Sequence, residues 1–444
     1  MADSTPPSPD KPASSSAVAD SPSPSPSPFR SPSSPLSPRF SSFSSSSQTD
    51  PRPLVLVTGG TGFLAKWVIA TLLSQTTPSP PPPTTTTPPY RIRTTLRSLS
   101  RIEEIKSSLR EASIPQSTIT SSLEFLPADL SSNDGWTTAL KDVTYVQHIA
   151  SPFPAHPPKD EYDLIIPAVE GTKRVLRAAK DAGVRRVVLT SSFAAIAYGA
   201  RHLGRDPAVP IIEDDWTDLS KPRLVPAYAK SKTLAEQAAW ELVEGESGGS
   251  MFGSEAGSRG TSGNKMELVV INPVNIYGPA LGREDCTTFR SISEFLEGNA
   301  PGIPRVQFGV VDVRDCAALH VLAMTHAAAS AERFICIGGR EEGGGGGGGM
   351  LWMEEMARIL RTKLGEKGKK VPALVLPDVL VRGVAMFMPV AKLLLADLGV
   401  RRVISGKKAR EMLGWESRYS SEEAILAAAE SILKFNGPPA EAES

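Results

Sequence analysis

From Pro53 onward the chain alternates short β-branched apolar runs with longer stretches of helical period. The runs "LVLVTG" (54–59), "YRIRTTLR" (90–97), "LEFLPADL" (123–130), "TYVQHIAS" (144–151), "RRVVLTSS" (185–192) and "MELVVINP" (266–273) predict strands. Between them, "KWVIATLL" (66–73), "IEEIKSSLREA" (102–112) and "VEGTKRVLRAAKDAG" (169–183) predict helices. In the last of these, Val169, Val175, Leu176 and Ala179 share one face, and Gly183 supplies the C-terminal stop. Strands separated by helices need crossover connections, so the expected fold is α/β with a doubly wound parallel sheet. After "NIYGP" (275–279) the alternation weakens and helical patterns dominate. The expected organisation is a nucleotide-binding domain over 53–275, with 304–330 returning to it, and a smaller, mostly helical substrate lobe over 276–436.

Composition adds a tail and removes several function classes. Residues 1–50 are largely Ser, Pro, Asp and Ala, too poor in apolar surface to offset chain entropy, and are expected to be disordered. Three low-complexity stretches, 76–89, 245–264 and 343–349, fall between predicted elements and read as surface insertions. Basic and acidic residues balance at 48 each, which argues against nucleic acid or an anionic membrane as a partner held by bulk charge. Cys286, Cys316 and Cys336 have no metal-ligand spacing, so no metal site is expected, and they fit buried thiols in a reducing compartment. No stretch reaches the ~18 apolar residues of a membrane span. The nearest, 371–399, is broken by Asp378, Arg382, Pro389 and Lys392 and reads as a buried or amphipathic helix. The expected location is the cytosol; Arg30 and Arg39 among serines keep an organelle transit peptide open, and Asp3, Asp10 and Asp20 weigh against one.

The chemistry begins at "TGGTGFLAKW" (58–67), between the first strand and first helix. A strand, a glycine-rich turn and a helix form the phosphate-binding unit of a Rossmann fold. Gly59 permits the tight turn, Gly62 lets the backbone approach a pyrophosphate, and free amides at the helix start meet its charge. Ala65, at the third small position, still allows close helix–strand packing. Further along, "YAKSK" places Tyr228 and Lys232 four residues apart in a helical run, hence on one face. An ammonium beside a phenol stabilises the phenolate and suits the phenol to hand over its proton. A third element, Thr190-Ser191-Ser192, puts hydroxyls at the carboxyl end of a predicted parallel strand, where ligands of such sheets bind.

These motifs resemble the extended short-chain dehydrogenase/reductase family, closest to the dihydroflavonol 4-reductase and carbonyl (aldehyde) reductase group. The resemblance extends over most of 53–436 through "HIASP", "VEGTKRVLRAA", "INPVNIYGP", "VDVRDCAALHVLAM" and "AREMLGW". It implies Ser192, Tyr228 and Lys232 as the catalytic set, with Ser191 a backbone contact. It also places Gly59, Gly62, Phe63 and Leu64 at the dinucleotide, Asp129 and Leu130 by the adenine, Ala150 and Ser151 by the ribose, and Pro273, Asn275 and Ile276 by the nicotinamide. Tyr228 and Lys232 would touch the cofactor as well. The second predicted strand ends on Arg97, with Arg101 following and no acid before Glu103. An arginine there accommodates a 2′-phosphate, so the expected cofactor is NADPH/NADP.

The implied activity is reduction of an aldehyde or ketone to an alcohol, with a small-molecule carbonyl substrate. A flavonoid, a methylglyoxal-like aldehyde, a cinnamoyl derivative and a steroid-like ketone are all compatible. Family members that expel water need an added acid and base. Here Ser192 is followed by Phe193-Ala194-Ala195-Ile196-Ala197, which argues against dehydratase chemistry. A sugar-nucleotide epimerase and a non-catalytic dinucleotide sensor or scaffold remain as alternatives; the retained Tyr228 and Lys232 weigh against the sensor. His148 and His320 read as structural residues at a strand end and in a helix.

Overall fold

The computed structural model describes residues 50–75, 87–151, 160–202, 205, 206, 208–245, 265–299, 301–339, 348–386, 395 and 397–435. The Ser/Pro segment 1–49 and most of the three low-complexity insertions lie outside the described residues.

The predicted apolar runs form a parallel sheet. Its strands are β1 (Leu54–Val57), β2 (Arg91–Leu96), β3 (Leu123–Pro127), β4 (Tyr145–His148), β5 (Arg186–Thr190), β6 (Glu267–Pro273) and β9 (Arg333–Cys336). Their order is β3-β2-β1-β4-β5-β6-β9, every neighbouring pair parallel. The order reverses between β1 and β4, so the crevice for a ligand opens at their carboxyl ends. This is a Rossmann-type sheet.

Strand alternation divides the core between two faces. Val55 and Val57 of β1 join one cluster with Leu64, Val68, Ile69 and Leu72 of α1 (Phe63–Ser74), Ile105 and Leu109 of α2 (Ile102–Glu111), and Leu319 of a later helix. Leu54 and Leu56 join the other, with Trp136 and Leu140 of α4 (Trp136–Leu140), Val175, Leu176 and Ala179 of α5 (Tyr162–Asp181), and Ala239 and Trp240 of α6 (Ala227–Glu244). A short α3 (Gln116–Ser122) leads into β3. Each fully buried Leu or Val contributes about 1.5–3 kcal/mol, which sets the register of the central strands. Helix α5 starts at Tyr162, earlier than the periodicity from Val169 indicates, and Gly183 follows its last turn at φ +72°.

The remainder is mainly helical, packed around a small second sheet. A three-stranded sheet, order β10-β8-β7, is made by β7 (Asn275–Tyr277), β8 (Gln307–Asp312) and β10 (Met350–Trp352). Strands β7 and β10 are three residues each, too short to show a period of two. Helices α7 (Thr287–Glu297), α9 (Met353–Lys363) and α12 (Ser421–Phe435) pack over it through Phe289, Ile292, Met356, Leu360, Ile425 and Ile432. Helix α8 (Val313–Thr325) carries Leu319 back onto the large sheet. Between them lie α10 (Asp378–Ala385) and α11 (Lys407–Leu413). No helix among the described residues is long and apolar enough to cross a membrane.

Candidate active site

The glycine turn is built around contacts that admit no side chain. Gly59 has φ +71°, and a Cβ there would lie 2.9 Å from the Ala150 Cβ. A Cβ on Gly60 would lie 2.2 Å from Thr94 Oγ1, which itself donates to the Val57 carbonyl at 2.9 Å. The Gly62 amide closes the turn onto the Gly59 carbonyl at 2.9 Å. Gly62 then caps α1 without a side-chain bond, and no acid stands in the first turn. The helix start therefore presents its amides and positive dipole end to an anion.

Thr58 ties this turn to β4. Its hydroxyl oxygen accepts from the Ile149 and Ala150 amides, each at 3.0 Å, so its one proton goes to His148 Nδ1 at 3.0 Å. That nitrogen must be unprotonated. Burial, with the Lys232 charge nearby, pushes the His148 pKa down to about 3, which keeps the ring neutral. His320 is held on both ring nitrogens: Nδ1 donates to the Cys316 carbonyl at 2.8 Å, and Nε2 lies 2.9 Å from the Thr190 hydroxyl.

Beyond β2, Arg97 is exposed and makes no hydrogen bond among the described residues. Arg101, four residues on, is held by Glu104 in a two-pronged pair at 2.7 and 2.8 Å. Asp129 accepts from the Ser131 amide at 2.8 Å and hydroxyl at 2.7 Å. Those bonds, and behind them the Arg97 charge, hold its carboxyl below the usual range. Leu130 is half-buried, its Cβ 3.2 Å from where a Cβ on Gly171 would stand.

The two serines after β5 separate by where their protons go. Ser191 is buried and its hydroxyl donates to Glu236 Oε2 at 2.5 Å, so it has nothing left to donate. Ser192 Oγ accepts from the Ala194 amide at 3.1 Å, capping the short turn Phe193–Ala195, and keeps its proton for another acceptor. Tyr228, in the first turn of α6, is 38% exposed. One turn on, the Lys232 ammonium sits 5.9 Å from the Tyr228 ring centre and 3.0 Å from Ser151 Oγ. Pro273 is buried at the end of β6, Asn275 is exposed on β7, and Ile276 is half-buried.

The structure thus brings Gly59, Ala150, Ser151 and Lys232 into one chain of contacts, with Tyr228 beside Lys232. Ser192 is linked through its carbonyl to Asn272 at 3.2 Å. Arg97 and Asp129 lie at the outer end of the crevice, past β2 and β3. The Leu64 side chain is buried in the core. Phe63 packs edge-on against Phe289 of α7 at 5.1 Å. Sequence reasoning missed Glu236, Asn272 and Arg333, all buried. A signal existed for the first, a carboxylate four residues after Lys232 within the alanine-rich "TLAEQAAWE".

The chain belongs to the NAD dependent epimerase/dehydratase family, which matches residues 55–338. A putative NADPH-dependent methylglyoxal reductase of Candida albicans is 30% identical over 63% of this chain and 77% of its own length. A cinnamoyl-CoA reductase of Medicago truncatula is 32% identical over 62% of this chain and 74% of its own. The crystal structure of Gre2 from Candida albicans in complex with NADPH aligns with a TM-score of 0.62 and 26% identity, covering 86% of this chain and 99% of that one.

Proposed function

We propose that this protein is an NADPH-dependent reductase that converts an aldehyde or ketone to the alcohol. The observation that carries the reading is the Lys232 ammonium, standing between Ser151 and the Tyr228 ring at the open ends of β4 and β5. Kinship with NADPH-dependent methylglyoxal reductases and cinnamoyl-CoA reductases supports it.

The residues present fit the cofactor. Side chains at Gly59 and Gly60 would fill the cradle, the first turn of α1 holds no competing acid, and Arg97 is exposed where a 2′-phosphate needs a cation. In this reading Gly59, Gly62 and the backbone of Phe63 and Leu64 meet the pyrophosphate. Asp129 and Leu130 border the adenine, Ala150 and Ser151 the ribose, and Pro273, Asn275 and Ile276 the nicotinamide. Residues 53–275, with 304–330, carry the cofactor, and 276–436 shape the carbonyl pocket. The cysteines are all free, as in a reducing compartment, and a cytosolic location is part of the proposal.

NADPH, when bound, supplies the hydride for the carbonyl carbon. Ser192 donates its uncommitted proton as a hydrogen bond to the carbonyl oxygen. Tyr228 transfers its phenolic proton to that oxygen as negative charge grows there. Lys232 stabilises the phenolate left behind and, through its place beside Ser151, holds the ribose. The buried apolar run Ala194–Ala197 beside Ser192 offers no acid–base pair for expelling water.

The test is NADPH consumption, followed by absorbance, with methylglyoxal, cinnamaldehyde, a flavonoid ketone and a steroid ketone. Turnover with at least one is expected. A folded protein that binds NADPH and consumes it with none contradicts the proposal.

A further inference from the structure

Directly behind the Ser191–Ser192 end of β5 lies a buried ion pair that the mechanism does not use. Glu236 of α6 is 1% exposed and Arg333 of β9 is 6% exposed, with Nε 2.6 Å from Oε1. Taking two charges out of water is expensive, and stability alone is a poor reason for such a pair. What surrounds it is more informative. Oε1 of Glu236 receives Arg333 Nε, and Trp240 Nε1 at the long distance of 3.5 Å; Oε2 receives the Ser191 hydroxyl at 2.5 Å and Asn272 Nδ2 at 2.8 Å. All four partners are donors. A carboxylate accepts at both oxygens, whereas an amide of the same shape would turn an NH₂ toward a donor.

The network reaches Ser192 from two sides. On one, the Asn272 amide held by Glu236 also donates to the Ser192 carbonyl. On the other, Arg333 Nη1 donates to the Glu213 and Asp215 carbonyls at 2.6 and 3.0 Å, and its guanidinium lies 3.8 Å from the centre of the Trp216 ring. The next residue, Thr217, donates its hydroxyl to the Ala194 carbonyl at 2.8 Å and its amide to the Ala195 carbonyl at 2.9 Å. The turn that Ser192 caps is therefore clamped at its start through Glu236 and at its end through Arg333.

We infer that Glu236 is a positioning residue for Ser192, acting through Asn272 and Ser191 to fix where the Ser192 hydroxyl is presented, with Arg333 anchoring the far side of the same turn. The kinetic consequence rests on the carbonyl-reductase reading; the clamping of 192–195 does not.

The test uses the full chain and compares Glu236→Gln, Asn272→Ala and their double variant with wild type. NADPH affinity is read by fluorescence, kcat and KM on an active carbonyl, and amide hydrogen exchange over 186–198 and 54–57. Glu236→Gln is expected to lower kcat about ten- to hundredfold, the scale of a misplacement near 1 Å. Its NADPH affinity should change less than about twofold, because the interaction lost is not with the cofactor. Exchange at 192–196 should speed up by about tenfold or more while β1 stays protected. The double variant should be no worse than the poorer single one, since both cut the same link. If Glu236→Gln does not fold, Asn272→Ala, which leaves the ion pair intact, carries the same comparison. A folded variant with unchanged kcat, or with kcat lost only in step with NADPH binding, overturns the inference. If the wild type reduces no carbonyl, the reductase reading fails and exchange decides: a loosened 192–196 segment supports the clamp, and an unchanged one overturns it.

Discussion

The carboxyl ends of β1, β4 and β5 and the lobe around α10 are built under opposite constraints. In the first region the backbone dictates the residues. Gly59 and Gly60 have no room for a methyl, Thr58 has all its hydrogen-bonding capacity assigned, and Ser191 is consumed by Glu236 so that Ser192 alone can donate. In the second, apolar side chains face outward: Val379 is 81% exposed, Leu380 52% and Met386 70%. Its polar contacts are made by side chains far apart in sequence, as where Tyr198 donates to Asp397, which pairs with Arg402. A site fixed by backbone geometry tolerates few residue types and so writes a motif. A surface made of side chains does not. The class of reaction is therefore readable from the first region, while the identity of the carbonyl, which we propose the second region selects, is not.

The largest expected effect separates two residues within the first region. Tyr228→Phe keeps the ring and removes the proton donor, so turnover should fall about 10²–10⁴-fold with NADPH affinity little changed. Lys232→Met should weaken both, because the ammonium, bonded to Ser151, is proposed to hold the ribose as well as to serve the phenol. Fluorescence titration and steady-state kinetics on both variants check the split, and equal behaviour of the two would merge roles kept apart here.

Next, Arg97→Asp should weaken NADPH binding roughly ten- to hundredfold, the loss of a charge-assisted contact to phosphate of about 1.5–3 kcal/mol. Arg101→Asp should matter far less, since Arg101 is already committed to Glu104. Equal effects in a parallel titration would move the 2′-phosphate contact.

Acid should reach the first region through His148. Its folded pKa of about 3 lies below the ordinary 6.5, so the unfolded chain takes up the proton first. Stability present above pH 6.5 is then lost as pH falls toward 3. Melting temperatures measured across that range should drop more steeply in wild type than in His148→Gln.

The smallest effects set the regions directly against each other. Gly60→Ala should destabilise by about 1–3 kcal/mol because its Cβ meets Thr94. Gly383→Ala, in α10 with nothing within 4 Å, should stabilise by roughly 0.5–1 kcal/mol through helix propensity. Denaturant unfolding gives both signs in one experiment.

The same contrast explains what could be read from the chain. Strands β1, β2, β3, β4, β5 and β6 were visible because apolar runs bounded by turns are local signals. Strands β7 and β10, of three residues each, carry no period; β9, no shorter than β1, was missed together with β8. The glycine turn and the Tyr228–Lys232 pair are local as well, the latter one helical turn apart. Glu236 is not: it meets Ser191 across 45 residues and Arg333 across 97, pairings that only the sheet order creates. Leu64 illustrates the reverse limit: the motif names a position in the first turn of α1, and its side chain turns into the core.

The most direct test of the reductase account follows the hydride itself. NADPH carrying deuterium at the transferred position is mixed with the wild-type protein and an active aldehyde, and the product is examined by NMR and mass spectrometry, with deuterated NADH in parallel. The account predicts an alcohol with one deuterium on the former carbonyl carbon, formed with NADPH in clear preference to NADH. A product without the label, label returned to the cofactor with no net oxidation as an epimerase would do, or equal use of NADH would contradict it.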